Sequence, residues 1–191
     1  IFFFAFSIFS LCKFASTAAS YDSSSNKWAI HFDEVIRETF EATASIVDAT
    51  ACVGGNTMSF GKYFDHVTAV ELDPKRFKML KHNVNVCQQH KTFGFAAKTR
   101  FFCGDYTKLM KTDIGRRDIV FFDPPWGGTD YKDNKHLNLY LNQIHMADII
   151  NYLLNRTKLV IMRVPRNFNF ATFLKKMHTS EINIHKEFFD N

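Results

Sequence analysis

From Ser45 onward the sequence alternates short apolar runs with longer amphipathic segments, and each of the first four runs stops at an acidic residue or a glycine-bearing turn. That alternation is the signature of a parallel sheet with crossover helices. The candidate strands are SIVDA (45–49), HVTAVEL (66–72), RFFC (100–103), DIVFF (118–122), LVIMRV (159–164) and EINIHKEFF (181–189). Helices are expected over 33–42, 56–63, 74–89, a short stretch after Tyr106, a long segment around 137–155, and 170–178. Pro74 suits the first turn of its helix, where a missing N–H leaves no intrahelical bond unmade. The expected fold is therefore α/β, with a doubly wound, mostly parallel sheet whose ligands bind at the carboxyl ends of the strands.

Composition narrows the setting. At 191 residues and 46% hydrophobic content, the chain can bury a core as one domain without staples. Cys12, Cys52, Cys87 and Cys103 show no paired spacing, so they read as reduced thiols of an intracellular compartment, nucleus or cytoplasm. The eight histidines have no ligand-like spacing, so no metal is expected. A net charge of +5 favours an anionic partner such as RNA, although a mildly basic surface is common among proteins that bind no nucleic acid. The first residues, IFFFAFSIFSLCKFASTAAS, form an apolar run shorter than the roughly 20 residues of a membrane span. No basic segment precedes it as in a secretory signal, so it is expected to be a truncated segment packing on the domain. Residues 1–27 are thus an apolar segment with the polar loop YDSSSN, and 28–191 the functional domain, expected to be monomeric and without membrane contact.

Four strand ends carry the chemistry. The first leads into Asp48-Ala-Thr-Ala-Cys-Val-Gly54-Gly55-Asn56-Thr57, a tight loop feeding a helix whose N-terminal N–H groups suit an anion such as a carboxylate. The spacing is not G-x-G-x-x-G, which favours a compact nucleoside carrying an amino acid over a dinucleotide. A plain strand-to-helix turn is the alternative. The second strand ends in Val70-Glu71-Leu72-Asp73-Pro74, and Glu71 stands where doubly wound sites bind ribose hydroxyls, while Asp73 suits the cap of the next helix. The third ends in Cys103-Gly104-Asp105, where an Asp can accept from an adenine amino group or serve as a turn residue.

The fourth ends in Asp123-Pro124-Pro125-Trp126-Gly127-Gly128. An exocyclic amine on a nucleobase is a poor nucleophile because its lone pair is delocalised into the ring. Alkylating it requires acceptors that hold its N–H bonds and turn the lone pair outward. Asp123 and the Pro124 carbonyl supply two, the prolines stiffen the turn, and Trp126 offers a stacking face worth about 1–3 kcal/mol per base. The bland alternative is a structural Pro-Pro turn with a core Trp.

DATACVGGNT, AVELDP, FFCGDY, DPPWGGTDY and VPRN (164–167) together resemble, in order and spacing, the trimethylguanosine synthase family of cap-specific guanine-N2 RNA methyltransferases, over about 28–188. Trp28 followed by Asp33-Glu34 resembles that family's entry into its core. The resemblance implies a Rossmann-like class I methyltransferase fold using S-adenosyl-L-methionine. It implies that Asp48, Gly54, Gly55, Asn56 and Thr57 form the cofactor loop, Glu71 holds the ribose and Asp105 faces the adenine. Asp123, Pro124 and Trp126 would engage the guanine as catalytic residues, Trp126 stacking on a 7-methylated base whose positive charge adds about 0.5–2 kcal/mol of cation–π attraction. Arg166 and Asn167 would bind substrate, with Arg166 the phosphate candidate, whereas Lys75, Arg76, Lys78 and Lys81 read as a solvated face.

There are departures. The family usually has Cys-Gly where this chain has Ala51-Cys52, placing a side chain on a cofactor-loop position. Asp123 stands where relatives often have Ser, and the family continues into a further strand beyond Phe189-Asp190-Asn191, so the sheet is expected to lack its last strand. The expected activity is methyl transfer to N2 of 7-methylguanosine-capped RNA. The alternatives are an amino-methyltransferase acting on internal guanine or adenine of ribosomal or transfer RNA, and an inactive cap- or RNA-binding module of the same fold.

Overall fold

The computed structural model describes residues 2–7, 44–89, 94–112, 117–178 and 183–188. Trp28, Asp33, Glu34, Cys12 and the expected helix over 33–42 lie outside them. The elements in chain order are β1 (Phe2–Ser7), β2 (Ser45–Asp48), α1 (Gly55–Phe60), β3 (His66–Glu71), α2 (Pro74–Gln89), β4 (Lys98–Cys103), α3 (Tyr106–Leu109), β5 (Ile119–Phe122), a 3-10 turn (Thr129–Asp133), β6 (Tyr140–Leu141), β7 (Ile144–His145), α4 (Met146–Leu153), β8 (Leu159–Val164), α5 (Phe170–Lys175) and β9 (Asn183–Phe188).

Seven of these strands form one sheet in the order β4-β3-β2-β5-β8-β1-β9. The five from β4 to β8 are mutually parallel, and β1 runs antiparallel to both β8 and β9. This is a Rossmann-like α/β sheet. The apolar segment at residues 2–7 is therefore a strand of the domain's own sheet, and it places an antiparallel strand between β8 and β9.

The apolar runs are continuous because both faces of the sheet are covered. Alternate residues divide between two layers. Val47, Val70, Val120, Phe122, Val160 and Met162 pack with Tyr106, α4 and Phe173, while Ile46, Val67, Ile119, Phe121 and Ile161 pack with Phe60 and Phe64 around α1. Leu80 and Val84 of α2 meet Ala69 and Ala51 on that second side. All four residues of β5 are fully buried.

One expected element is different. In place of a single helix around 137–155, a short hairpin of β6 and β7 precedes α4. Asn142 and Gln143 at its tip take left-handed φ values of 47° and 66°, the geometry of a tight two-residue hairpin turn. Leu137, Leu139 and Leu141 recur at a spacing of two, which is the period of a strand. Leu137 bridges to Phe168, and its carbonyl accepts from Asn169 N at 2.8 Å.

Candidate active site

Crossovers leave β2 for β3 on one side and follow β5 to β8 on the other, so the carboxyl ends of β2 and β5 flank the switch point of the sheet. A cleft of about 1130 Å³ opens there, lined on one side by Cys52, Gly55, Asn56, Glu71, Leu72 and Asp105, and on the other by Asp123, Pro124, Trp126, Tyr131 and Arg163.

On the first side the loop after β2 is fixed from its own backbone. Ala51 N donates to Val70 O and Gly54 N to Ala51 O, and Cys52 N donates to Glu71 Oε2 at 2.9 Å. That last bond ties the loop to the end of β3. The other Glu71 oxygen accepts from Asp73 N at 2.8 Å and meets Arg76 Nε at 3.4 Å, so a nearly buried carboxylate is held at the cleft wall. Asp73 caps α2 through Lys75 N and Arg76 N, as its position before Pro74 suggests.

Two residues of this loop have positive φ. Gly54 has φ 101°, and a Cβ there would stand 3.0 Å from Leu80 Cδ1, so the position is closed to side chains by both backbone and packing. Cys52 has φ 50°, a left-handed conformation that an L side chain adopts at a cost. Asp48 lies beneath the loop. It is fully buried, and Thr57 Oγ1, also buried, donates to its Oδ2 at 2.6 Å. Burial is the main force pushing the Asp48 carboxyl up to about 7, with the Thr57 bond opposing it and the nearby Asp123 and Glu71 charges adding to it.

Asp105 is the N-cap of α3, its Oδ1 accepting from Thr107 N and Oγ1. Its Oδ2 accepts from Asn142 Nδ2, which draws the tip of the β6–β7 hairpin onto the cleft.

On the second side Asp123 leaves β5 with its N–H donated to Thr50 Oγ1 at 2.7 Å. Its Oδ2 accepts from Arg163 Nη1 at 2.9 Å, and the Asn56 side chain also bonds its carboxylate. Burial raises the Asp123 pKa, opposed first by the Arg163 charge. The Arg163 guanidinium also lies 5.7 Å from the Trp126 ring centre, and Tyr131 meets that ring edge-on at 5.2 Å. Gly127 and Gly128, with φ 96° and 92°, turn the chain back so that Tyr131 reaches Trp126.

The sequence model of the RNA cap guanine-N2 methyltransferase family matches residues 43–187. The chain belongs to that family. An uncharacterised protein of Acanthamoeba polyphaga mimivirus, L320, is 35% identical over 140 residues, covering 72% of this chain and 52% of its own length. Trimethylguanosine synthase of Schizosaccharomyces pombe is 36% identical over 90 residues, covering 45% of this chain and 35% of its own. The Saccharomyces cerevisiae trimethylguanosine synthase is 28% identical over 127 residues, covering 64% of this chain and 38% of its own. The chain spans about half the length of the first and little more than a third of the other two.

Within this fold, the residues anticipated from sequence separate into three groups. Gly55, Asn56, Glu71, Asp105, Asp123, Pro124 and Trp126 are brought together on the cleft. Asp48, Thr57 and Gly54 support it from below: the first two bond each other and Gly54 packs on α2, so none of the three lines the cleft. Arg166 is exposed and Asn167 half-buried, and neither lines the cleft. Asn167 is a clip, its Nδ2 donating to Tyr131 O and Asn134 O, both at 2.7 Å. It holds the loop that carries Tyr131 against Trp126.

Arg76, read as part of a solvated face, instead joins Glu71 at the cleft, because the first turn of α2 starts beside the end of β3. Sequence reasoning missed Arg163, Thr50, Leu72 and Asn142. Arg163 had a signal, since it is the charged residue within the apolar strand LVIMRV. Among the described residues, no cluster of three His, Cys, Asp or Glu side chains could hold a metal ion, and no helix is long and apolar enough to cross a membrane.

Proposed function

We propose that this chain transfers a methyl group from S-adenosyl-L-methionine to the exocyclic N2 of 7-methylguanosine in capped RNA. The observation that supports it most is the meeting of Gly55, Glu71 and Asp105 on one side and Asp123, Pro124 and Trp126 on the other in one cleft, with the Asn56 side chain bonded to Asp123 between them.

The first wall fits the cofactor. Gly55 leaves open space where a Cβ would stand, Glu71 presents a carboxylate fixed by backbone N–H groups, and the exposed side chain of Leu72 gives an apolar surface beside it. Glu71 would hold the ribose hydroxyls, Asp105 the adenine amino group, and the loop from Ala51 to Gly55 the amino-acid end. When bound, S-adenosyl-L-methionine supplies an electrophilic methyl group on its sulfonium.

The protein's share of the chemistry is alignment. Asp123 accepts an N–H of the guanine amine, using lone pairs left over after Arg163 and Asn56 are bound, since each carboxylate oxygen can accept twice. The Pro124 carbonyl is the second acceptor. With both N–H bonds held, the nitrogen lone pair points away from Asp123. Trp126, steadied by Tyr131, fixes the plane of the base and favours the cationic 7-methylated form. The amine becomes acidic as it is alkylated, so Asp123 or water takes its proton without a strong base. Arg166, on the exposed turn after β8, is the candidate for the cap phosphates.

The test is transfer of labelled methyl to 7-methyl-GTP and to GTP, with the product nucleoside identified by mass spectrometry. N2-methylation of the 7-methylated nucleotide alone supports the proposal. Transfer to neither, with S-adenosylhomocysteine still bound, would contradict it in favour of internal RNA targets; loss of cofactor binding as well would favour an inactive binding module.

A further inference from the structure

We infer that Arg163 is a positioning residue that keeps Asp123 a charged acceptor and sets the plane of Trp126 with the same guanidinium. This rests on the reading of Asp123 as the acceptor of the target amine.

The register makes the contact unavoidable. Phe122 of β5 pairs with Met162 of β8, so the next residues, Asp123 and Arg163, emerge side by side at the carboxyl edge. Their side chains meet at 2.9 Å with only 22% and 23% of their surfaces exposed. An arginine within an otherwise apolar strand loses solvation, and its retention there needs a partner of opposite charge. The same guanidinium lies 5.7 Å from the Trp126 ring centre, so moving Arg163 would disturb the acceptor and the stacking platform together.

The protonation state of Asp123 decides whether the geometry is usable. A carboxylate only accepts, and so matches an N–H donor; a neutral carboxyl carries its own O–H donor and offers fewer acceptor sites. The groups facing Asp123 are Arg163 from β8, the Asn56 side chain from α1, Thr50 Oγ1 on its backbone N–H, and the Asp48 carboxyl at the end of β2. Asn56 and Thr50 are neutral, and Asp48, pushed up to about 7 by burial, carries no charge on the acidic side of that pH. Arg163 provides the positive charge in this group and opposes the effect of burial on Asp123.

The experiment is the pH profile of methyl transfer for wild type, Arg163→Met, Arg163→Lys, Asp123→Asn and the Arg163→Met/Asp123→Asn pair, with a 13C NMR titration of the Asp123 carboxyl in nucleotide-free protein. Arg163→Met should move the acidic limb of kcat/KM up by about one pH unit or more, an approximately tenfold loss below the limb that fades at high pH. Arg163→Lys should return the limb toward wild type. In the Asp123→Asn background, removing Arg163 should produce no further pH-dependent loss. The NMR midpoint of Asp123 should rise by a similar amount in Arg163→Met. A loss uniform across pH and equal in both backgrounds, or an unmoved midpoint, would overturn the inference. If the midpoint moves but wild type methylates no guanine nucleotide, the charge inference stands and the substrate reading fails.

Discussion

Replacing Cys52 with glycine should stabilise the protein, contrary to the usual effect of adding a glycine. The residue has φ 50° and its N–H is committed to Glu71 Oε2, so it cannot relax to an ordinary backbone conformation without releasing the bond that ties the loop to β3. The left-handed conformation costs an L residue about 1–2 kcal/mol. Glycine removes that cost but gives back about 0.4–1 kcal/mol through the larger freedom of the unfolded chain. A net gain of about 0.5–1 kcal/mol remains, which for a chain of this size raises Tm by roughly 1–4 °C. The thiol is exposed, so its loss contributes little. Cys52→Ala is the control: it deletes the sulfur and keeps the strain, and should leave Tm within about 1 °C of wild type. Thermal unfolding followed by circular dichroism measures both. A lower Tm for Cys52→Gly, or an equal rise for Cys52→Ala, would refute the attribution to backbone strain.

Gly54→Ala should have the opposite sign, because φ 101° and a Cβ 3.0 Å from the buried Leu80 Cδ1 add strain to overpacking; a loss of about 2–3 kcal/mol in urea unfolding is expected. Asp48 makes stability depend on pH. Its folded pKa, about 7 against an ordinary 3.8, means the folded state holds the proton more tightly, so its contribution is favourable below about pH 4 and is lost as pH rises to about 7. Asp48→Asn removes that dependence, and its Tm minus that of wild type should grow across this window; a constant difference would count against a raised pKa. Asn167→Ala gives up two hydrogen bonds to carbonyls, about 1–3 kcal/mol, and frees the loop carrying Tyr131. Methyl-transfer kcat/KM should fall about tenfold while calorimetric affinity for S-adenosylhomocysteine is unchanged; weakened cofactor binding would place Asn167 elsewhere in the mechanism.

Much of the cleft was legible because its walls are built from strand ends, and a strand end is marked in sequence by the stop of an apolar run. Glu71, Asp105 and Asp123 each follow such a stop, and all three line the cleft. What the linear pattern hides is direction. Asp48 also ends an apolar run, but its side chain turns under the loop to meet Thr57, which lies nine positions on and faces back from the helix. Asn167 follows β8 closely, yet it bonds to carbonyls more than thirty residues away instead of facing the cleft. The β6–β7 hairpin was hidden for another reason: its strands are two residues each, too short for alternation to outweigh the apolar content of α4 that follows. Arg163 depends on pairing between strands separated in sequence by forty residues, which only the sheet order reveals.

A crystal structure of the protein with S-adenosylhomocysteine and 7-methyl-GDP bound together tests the proposed placement of the guanine amine most directly. The guanine should stack on Trp126 with N2 in hydrogen-bond reach of Asp123, and the homocysteine sulfur should face N2 on the side away from that carboxylate. A guanine bound elsewhere, or one that presents N2 to solvent with Asp123 still paired only to Arg163 and Asn56, would contradict it.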